Sequence, residues 1–336
     1  FSWLYGLIIW IRNFLFSIGL VRPVSFDIPI ISVGNITMGG TGKTPMVIYL
    51  AKLIITHGRN PGIVSRGYGR NSKGVKVVHD GKGFLTDVNT AGDEPYLMGM
   101  ILKNVPIVVS ENRKIGIQVL IDNSSVNIVI LDDAFQNRIV ERDLDIITIS
   151  AHDQKNVYQL IPWGKLREPF QNIKRAECVI YTKTMQYNNI PIHKKLIPYL
   201  NNSPIASIME PILMKIDKTG YHKAFPTNEP VFVFCGIGNP DSFIQTVKEV
   251  GLTIGGKRIF KDHQIYDATI IQDLYAQVKS GHFNSTVTTE KDMVKIPESF
   301  RIFFKFYVIK INLMLKDDTE IMDLIKPVLL PSHQHR

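Results

Sequence analysis

The chain has 336 residues, 45% hydrophobic and 21% charged, with 24 Gly and 18 Pro. That composition excludes a disordered, collagenous or low-complexity protein, and the length gives a prior of about two domains with ample core. Lys and Arg outnumber Asp and Glu by 39 to 30, and the formal charge of +9 favours an anionic partner: nucleic acid, a phosphorylated substrate or anionic lipid.

Residues 1–21 form the most apolar stretch. A secretory signal would show a basic leader and a small-residue cleavage site, and neither is visible. Arg12-Asn13 at the centre argues against a spanning helix, the Arg alone costing about 2.5–3.5 kcal/mol on the insertion scale. At helical spacing Ser2, Gly6, Asn13 and Ser17 make one narrow stripe, while Trp3, Leu7, Trp10, Phe14 and Leu15 cover the rest. This is the pattern of a helix lying in a bilayer surface with Arg12 and Arg22 near the headgroups; the alternative is a helix packed on the core.

From Pro29 onward, short β-branched runs alternate with amphipathic stretches. The pattern predicts strands over 30–33, 62–65, 106–109, 127–131, 145–149 and 178–181, and helices over 44–57, 95–103 and 113–122, hence βαβ units and a mainly parallel sheet. Residues 205–216 read as extended, followed by turn and linker sequence at Lys218-Thr219-Gly220 and up to Pro230. A second α/β unit follows, with strands over 231–235, 286–288 and 306–311 and helices over 241–250 and 268–279. The expected organisation is an apolar N-terminal helix (1–22), a nucleotide-binding α/β domain (23–204), an extended linker (205–230) and a smaller α/β domain (231–336). Cys178 and Cys235 lie far apart in apolar runs and read as buried thiols, not as a disulfide or zinc site.

The sharpest motif is Gly39-Gly40-Thr41-Gly42-Lys43-Thr44, directly after an apolar strand and directly before a helix. In that context glycines let backbone N–H groups turn inward around phosphates. The helix N-terminus adds positive potential, Lys43 meets the β/γ oxygens and the Thr44 hydroxyl reaches Mg²⁺. The strict P-loop consensus would place Gly where this chain has Thr37, a mild departure given the glycines that follow. The run 128–131 followed by Asp132-Asp133 is a buried strand delivering a carboxylate to the sheet edge, where it would serve Mg²⁺ or its water shell. Ser65-Arg66-Gly67-Tyr68-Gly69-Arg70 follows another strand end with two guanidiniums suited to phosphate. Gly92-Asp93-Glu94-Pro95 opens a helix, and Gly164-Lys165-Leu166-Arg167-Glu168-Pro169 adds a basic loop with a carboxylate.

In their order these motifs, with Asp132-Asp133-Ala134-Phe135-Gln136, Asp262-His263-Gln264-Ile265-Tyr266 and Thr289-Glu290-Lys291-Asp292 in the second half, resemble the tetraacyldisaccharide 4′-kinase family, the lipid A 4′-kinases of Gram-negative bacteria. The resemblance spans nearly the whole chain. It implies a P-loop kinase at the cytoplasmic face of the inner membrane, peripheral or monotopic, that uses ATP and Mg²⁺ to phosphorylate a tetraacylated disaccharide 1-phosphate. A nucleic-acid partner rests on charge alone, with no recognised nucleic-acid motif and no basic run interleaved with aromatics, and no obligate protein partner is inferred. Carried over by motif, Gly39, Gly40, Thr41, Gly42, Lys43 and Thr44 hold the nucleotide, and Thr44, Glu94 and Asp132 the metal. Asp93 is the base, His263 its partner across the interdomain cleft, and Lys43 and Asp133 act beside them. Arg66, Tyr68, Arg70, Arg167 and Glu168 meet the substrate. The family commonly has His where this chain has Asn137, so that position carries no assigned role. The rival reading is a membrane-associated regulatory or partitioning P-loop ATPase, against which stands Met38 where those proteins usually carry a signature Lys. The other histidines show no metal-ligand grouping.

Overall fold

The computed structural model describes residues 2–153, 158–187, 190, 192–217 and 220–329. The first unit comprises α1 (Ser2–Ser17), β1 (Ile30–Asn35), α2 (Lys43–Thr56), β2 (Pro61–Ser65), β3 (Lys76–Asp80), α3 (Val88–Ala91), α4 (Asp93–Ile101), β4 (Pro106–Val109), α5 (Arg113–Asp122), β5 (Ile128–Asp132), β6 (Leu144–Ser150) and β7 (Cys178–Thr182). There follow the long β8 (Ile205–Asp217) and β9 (Gly220–Lys223). The second unit holds β10 (Val231–Cys235), α6 (Pro240–Glu249), β11 (Ile254–Ile259), α7 (Ala268–Ser280), β12 (Ser285–Thr289), α8 (Glu290–Met293), α9 (Glu298–Arg301), β13 (Lys305–Leu315) and α10 (Thr319–Leu329).

These strands join in the order β11, β10, β12, β13, β8, β7, β6, β1, β5, β2, β4, β3, with β9 on β8. β1 sits between β5 and β6, parallel to both, and every residue of β1, β2, β5, β6 and β7 is buried. Such continuous apolar runs are what a parallel sheet covered on both faces requires. α2 seals one face with Met46, Val47, Leu50, Ala51 and Ile54, all at 0% exposure. The carboxyl ends of β1, β2 and β5 therefore open on one edge, where the motif-bearing turns begin.

The segment expected as an extended linker begins with one long strand, β8. Ile205 and Ala206 pair parallel with β7, and from Ser207 to Ile216 the same strand runs antiparallel to β13 in unbroken register. The chain then returns: Leu313, Leu315, Ile321, Met322 and Ile325 join the same core as α2, so the last helix packs on the first unit. Sequence periodicity missed β3, β11 and α10. β3 and β11 are edge strands of mixed polarity, with exposure alternating along β11, and α10 carries Pro327 within it. Of the expected turn at Lys218-Thr219-Gly220, the first two residues lie outside the described residues, and Gly220 opens β9. Both cysteines are free and buried.

α1 is amphipathic in the inverted sense. Its polar stripe faces the protein: Ser2 Oγ donates to the Leu160 and Ile161 carbonyls at 3.1 and 3.2 Å, and Tyr5 OH to the Arg167 carbonyl at 2.8 Å. Gly6 lies close to Leu160, and Arg138 donates to the Asn13 carbonyl. Trp3, Leu4, Leu7, Ile8, Trp10, Ile11 and Phe14 are exposed outward. Arg12 corrects an expectation: instead of pointing to headgroups it forms an ion pair with Glu168 at 2.9 Å. Ser17, on the same sequence stripe as Ser2, Gly6 and Asn13, is exposed, and Ile9 is the helix residue that is buried. Among the described residues no helix is long and apolar enough to cross a membrane.

Candidate active site

The glycine-rich turn links β1 to α2, and Gly42 makes the junction at φ 85°. That left-handed backbone strains any L side chain, and a Cβ there would lie 2.4 Å from Met209 Cε and 3.2 Å from Thr182 Cγ2. Thr41 is sewn into the sheet: its hydroxyl meets Asn35 Nδ2 at 3.0 Å and Thr148 Oγ1 at 2.8 Å, and its carbonyl accepts from Thr182 Oγ1 at 2.8 Å. Upstream, Met38 N donates to the Lys165 carbonyl at 2.7 Å, pinning the turn to the basic loop. Gly40 leaves open space where a Cβ would be.

Lys43 lies 3.6 Å from Asp133 Oδ1, and Arg167 Nη1 donates to the same oxygen at 2.7 Å. Burial pushes the Asp133 carboxyl up, but Lys43 and Arg167 prevail and hold it below the usual range. Asp133 is also in the left-handed region at φ 50°, the kind of backbone strain that clusters at functional sites. Its neighbour Asp132 ends β5. Ser65 Oγ donates to Asp132 Oδ2 at 2.7 Å, and Arg113 reaches across to the Asp132 carbonyl at 2.9 Å. The other oxygen, Oδ1, is buried without a hydrogen-bond partner. Burial, Glu94 and Asp133 together push Asp132 up to about 6.

This is the environment a divalent cation would relieve: a buried orphan carboxylate oxygen, held close to other carboxylates, with hard oxygen donors. No group of three or more His, Cys, Asp or Glu that could hold a metal occurs among the described residues. Mg²⁺ keeps several waters and takes one or two protein carboxylates besides phosphate. Asp132 and Glu94 fit that role, with the buried Thr44 hydroxyl at the head of α2.

The second unit completes the site, because α8 packs against α4. Asp93 Oδ2 lies 2.9 Å from His263 Nδ1 and 3.6 Å from Lys295 Nζ, and Lys291 Nζ donates to Glu94 Oε1. Burial raises the Asp93 pKa, yet the His263 hydrogen bond and the Lys291 and Lys295 charges bring it below the ordinary value. His263 moves the other way, up, because the Asp93 bond outweighs burial. Burial also works against the charge on Lys291, but Glu94 and Asp93 hold its pKa above that of an ordinary lysine. Tyr68 stacks edge-on against the imidazole at 5.0 Å, and Gly69, φ 75°, passes so close that a Cβ would sit 3.3 Å from His263 Nδ1. Tyr68, Asp93, His263 and Lys295 line a cavity of about 30 Å³.

The structure thus gathers Lys43, Asp133 and Arg167 in one cluster, and Asp93 and His263 in another joined to the first through Glu94, whose carboxyl Lys291 and Lys43 hold below the usual range against burial. Arg66 and Tyr68 are exposed. Two residues go elsewhere. Arg70 donates to Glu111 Oε1 at 2.5 Å and to the Gly74 carbonyl at 2.6 Å. Glu168 has no exposed surface and is enclosed by Arg12, Arg175 and Asn172 at 2.9, 2.9 and 2.6 Å. Sequence reasoning assigned no role to Lys291, Lys295 or Arg113. The first was visible in the Thr-Glu-Lys-Asp run; no local signal distinguishes the others from solvated or capping cations.

Comparison with known proteins bears on this constellation. Residues 1–329 match the family model described as tetraacyldisaccharide-1-P 4′-kinase. A tetraacyldisaccharide 4′-kinase from Desulfotalea psychrophila is 35% identical over 312 residues, covering 91% of this chain and 89% of that one. One from Chlorobaculum parvum is 35% identical over 302 residues, covering 88% and 82%. Among solved structures, LpxK from Aquifex aeolicus in complex with ATP superposes with a TM-score of 0.78 at 30% identity, over 98% of each chain.

Proposed function

The chain belongs to the tetraacyldisaccharide-1-P 4′-kinase family, and from that premise we propose that it transfers the γ-phosphoryl group of ATP to the 4′-hydroxyl of a tetraacylated disaccharide 1-phosphate. Family membership sets aside the partitioning-ATPase reading. The observation that carries the proposal is the Asp93–His263 contact, made between units, at the same sheet edge as the glycine-rich loop.

Phosphoryl transfer passes through a loose transition state, so charge placement and alignment do most of the work. The loop amides and Lys43 hold the phosphates, while Asp133 and Arg167 fix the ammonium's position. Asp132, Glu94 and the Thr44 hydroxyl would hold a divalent cation, which would supply neutralising charge during the transfer. Asp93, kept ionised by its neighbours, takes the acceptor's hydroxyl proton; that oxygen forms the new bond to the γ-phosphorus as the bond to the leaving ADP oxygen breaks. His263 orients the carboxylate and shares its proton. Tyr68, exposed against the imidazole, and the exposed Arg66 are the residues we propose to meet the acceptor.

The acceptor carries several acyl chains, and the outward face of α1 suits a peripheral contact with the cytoplasmic surface of the inner membrane. Trp163, 75% exposed, supports this reading: the Leu160 carbonyl accepts both Ser2 Oγ and Gly164 N, so Trp163 emerges beside the start of the helix. Product analysis tests the activity: ADP release should require the lipid disaccharide and match 4′-phosphate one for one, and acceptor-independent turnover would overturn it. For the membrane contact, Trp3→Phe/Trp10→Phe leaves Trp163 as the sole tryptophan of three. Its emission should be quenched by brominated lipid in anionic vesicles. Failure of the full chain to sediment with those vesicles would refute the membrane reading.

A further inference from the structure

The carboxylate of Asp292, at 0% exposure in α8, is surrounded by donors. Oδ2 accepts from Gly236 N at 3.0 Å and Thr289 Oγ1 at 2.7 Å, and Oδ1 accepts from Tyr266 OH at 3.0 Å with Lys295 Nζ 3.3 Å away. Two routes lead from this carboxylate to His263. Along the backbone, Gly236 N is held by Asp292 while the Gly236 carbonyl accepts from His263 N at 3.1 Å. Through the side chains, Lys295 lies between Asp292 and Asp93, and it approaches the same Asp93 oxygen that faces the imidazole.

We infer that Asp292 and Lys295 are positioning residues for the Asp93–His263 pair, closing a ring that fixes the carboxylate of one unit against the imidazole of the other. The inference rests on the dyad reading above. In that scheme Lys295 acts on the acceptor hydroxyl only through Asp93; its side chain is 8% exposed and lies under the Tyr266 ring at 5.5 Å. Its Nζ makes no hydrogen bond, and the ion pairs to Asp93 and Asp292 on either side are what offset the cost of burying the ammonium there. His263 itself needs such support. Its backbone is left-handed, φ 56°, a conformation a histidine keeps only when its surroundings over-determine it. The Gly236 carbonyl and Asp292 behind it supply that constraint. Without the ring, Asp93 is free to leave the imidazole for Lys291, and the units lose a charged contact at the place where the hydroxyl proton must be taken.

The test is a cycle of Lys295→Met and His263→Ala in the full-length chain. Lys295→Met should lower kcat on the order of 10–100-fold, the range seen when supports of functional ligands are removed, with KM for ATP and acceptor within about twofold. In the His263→Ala background the same change should cost less than about threefold, because its effect runs through the imidazole. Lys295→Arg, which keeps the charge, should recover most of kcat. Equal losses in both backgrounds, a loss carried by KM, or an unchanged kcat in folded Lys295→Met would each overturn the inference. If Lys295→Met does not fold, the cycle runs with Lys295→Arg, whose smaller kcat loss must vanish in the His263→Ala background. Full activity of Asp93→Asn and His263→Ala would instead refute the dyad reading and leave the ring as architecture.

Discussion

Glu168→Ala separates a structural from a substrate-binding role at a residue whose motif pointed to substrate. The carboxylate has no exposed surface and accepts from Arg12 at 2.9 Å on one oxygen and from Arg175 and Asn172 at 2.9 and 2.6 Å on the other. Removing it strands Arg175, whose Nε and Nη1 are buried without hydrogen-bond partners and whose remaining support is the Phe135 ring and carbonyl. Breaking a buried pair by deleting one partner costs about 3–5 kcal/mol. At roughly 2 °C per kcal/mol for a chain of this size, Tm should fall by roughly 6–10 °C. Arg12→Ala should cost only about 1 kcal/mol, because the Arg12 side chain is 34% exposed and Glu168 keeps Arg175 and Asn172. Urea titration of the two variants gives both numbers, and steady-state kinetics should show acceptor KM for Glu168→Ala within about twofold of wild type. A Glu168→Ala protein of unchanged stability with a tenfold higher acceptor KM would refute the reasoning and return Glu168 to the substrate.

Lys43→Ala should reduce phosphoryl transfer by on the order of 10²–10³ with the fold intact by circular dichroism, as for the loss of a preorganised charge at a reacting group. Asp93→Asn combined with His263→Ala should lose little more activity than the worse single variant; multiplicative losses in initial-rate assays would show two independent groups. His263 has a raised pKa because of Asp93. The stability this pair contributes is therefore fully present below the unfolded value near 6.5 and is lost as pH rises through the folded one. The Tm gap between wild type and His263→Ala should be widest below pH 6 and close as pH rises past 6.5; a gap that widens with pH would contradict the assignment.

Local sequence carried much of this. The strand–turn–helix context of Lys43 was legible because phosphate loops need glycine and a helix start at fixed offsets, and the buried strands β1, β5 and β6 because parallel cores demand unbroken apolar runs. What depended on distant pairing was not. β8 reads as extended from its residues, but its place in the sheet comes from its partner β13, about a hundred residues away, which no window contains. Edge strands such as β11, where half-buried residues alternate with exposed ones, gave too weak a pattern. In the site, Asp93 and His263 are 170 residues apart, and only the family resemblance joined them. Arg12 and Glu168 misled for a related reason: a charge in an apolar helix and a carboxylate in a basic loop each look functional alone, and they satisfy one another.

The inverted helix α1 has a consequence for which acceptors are accepted. Ser2, Tyr5 and Arg12 fasten it to the segment 160–168, and Lys165 of that segment accepts from Met38 beside the glycine-rich turn. Among the described residues, these side-chain and backbone bonds link the outward apolar face to the glycine-rich turn. With that face against lipid, the fold sets a constant height of the loop above the acyl chains. On the proposed membrane contact and dyad, the protein would select by height as well as by chemistry: a hydroxyl carried too close to the chains, or lifted away on a longer headgroup, would fail to reach Asp93 even when its sugar is correct.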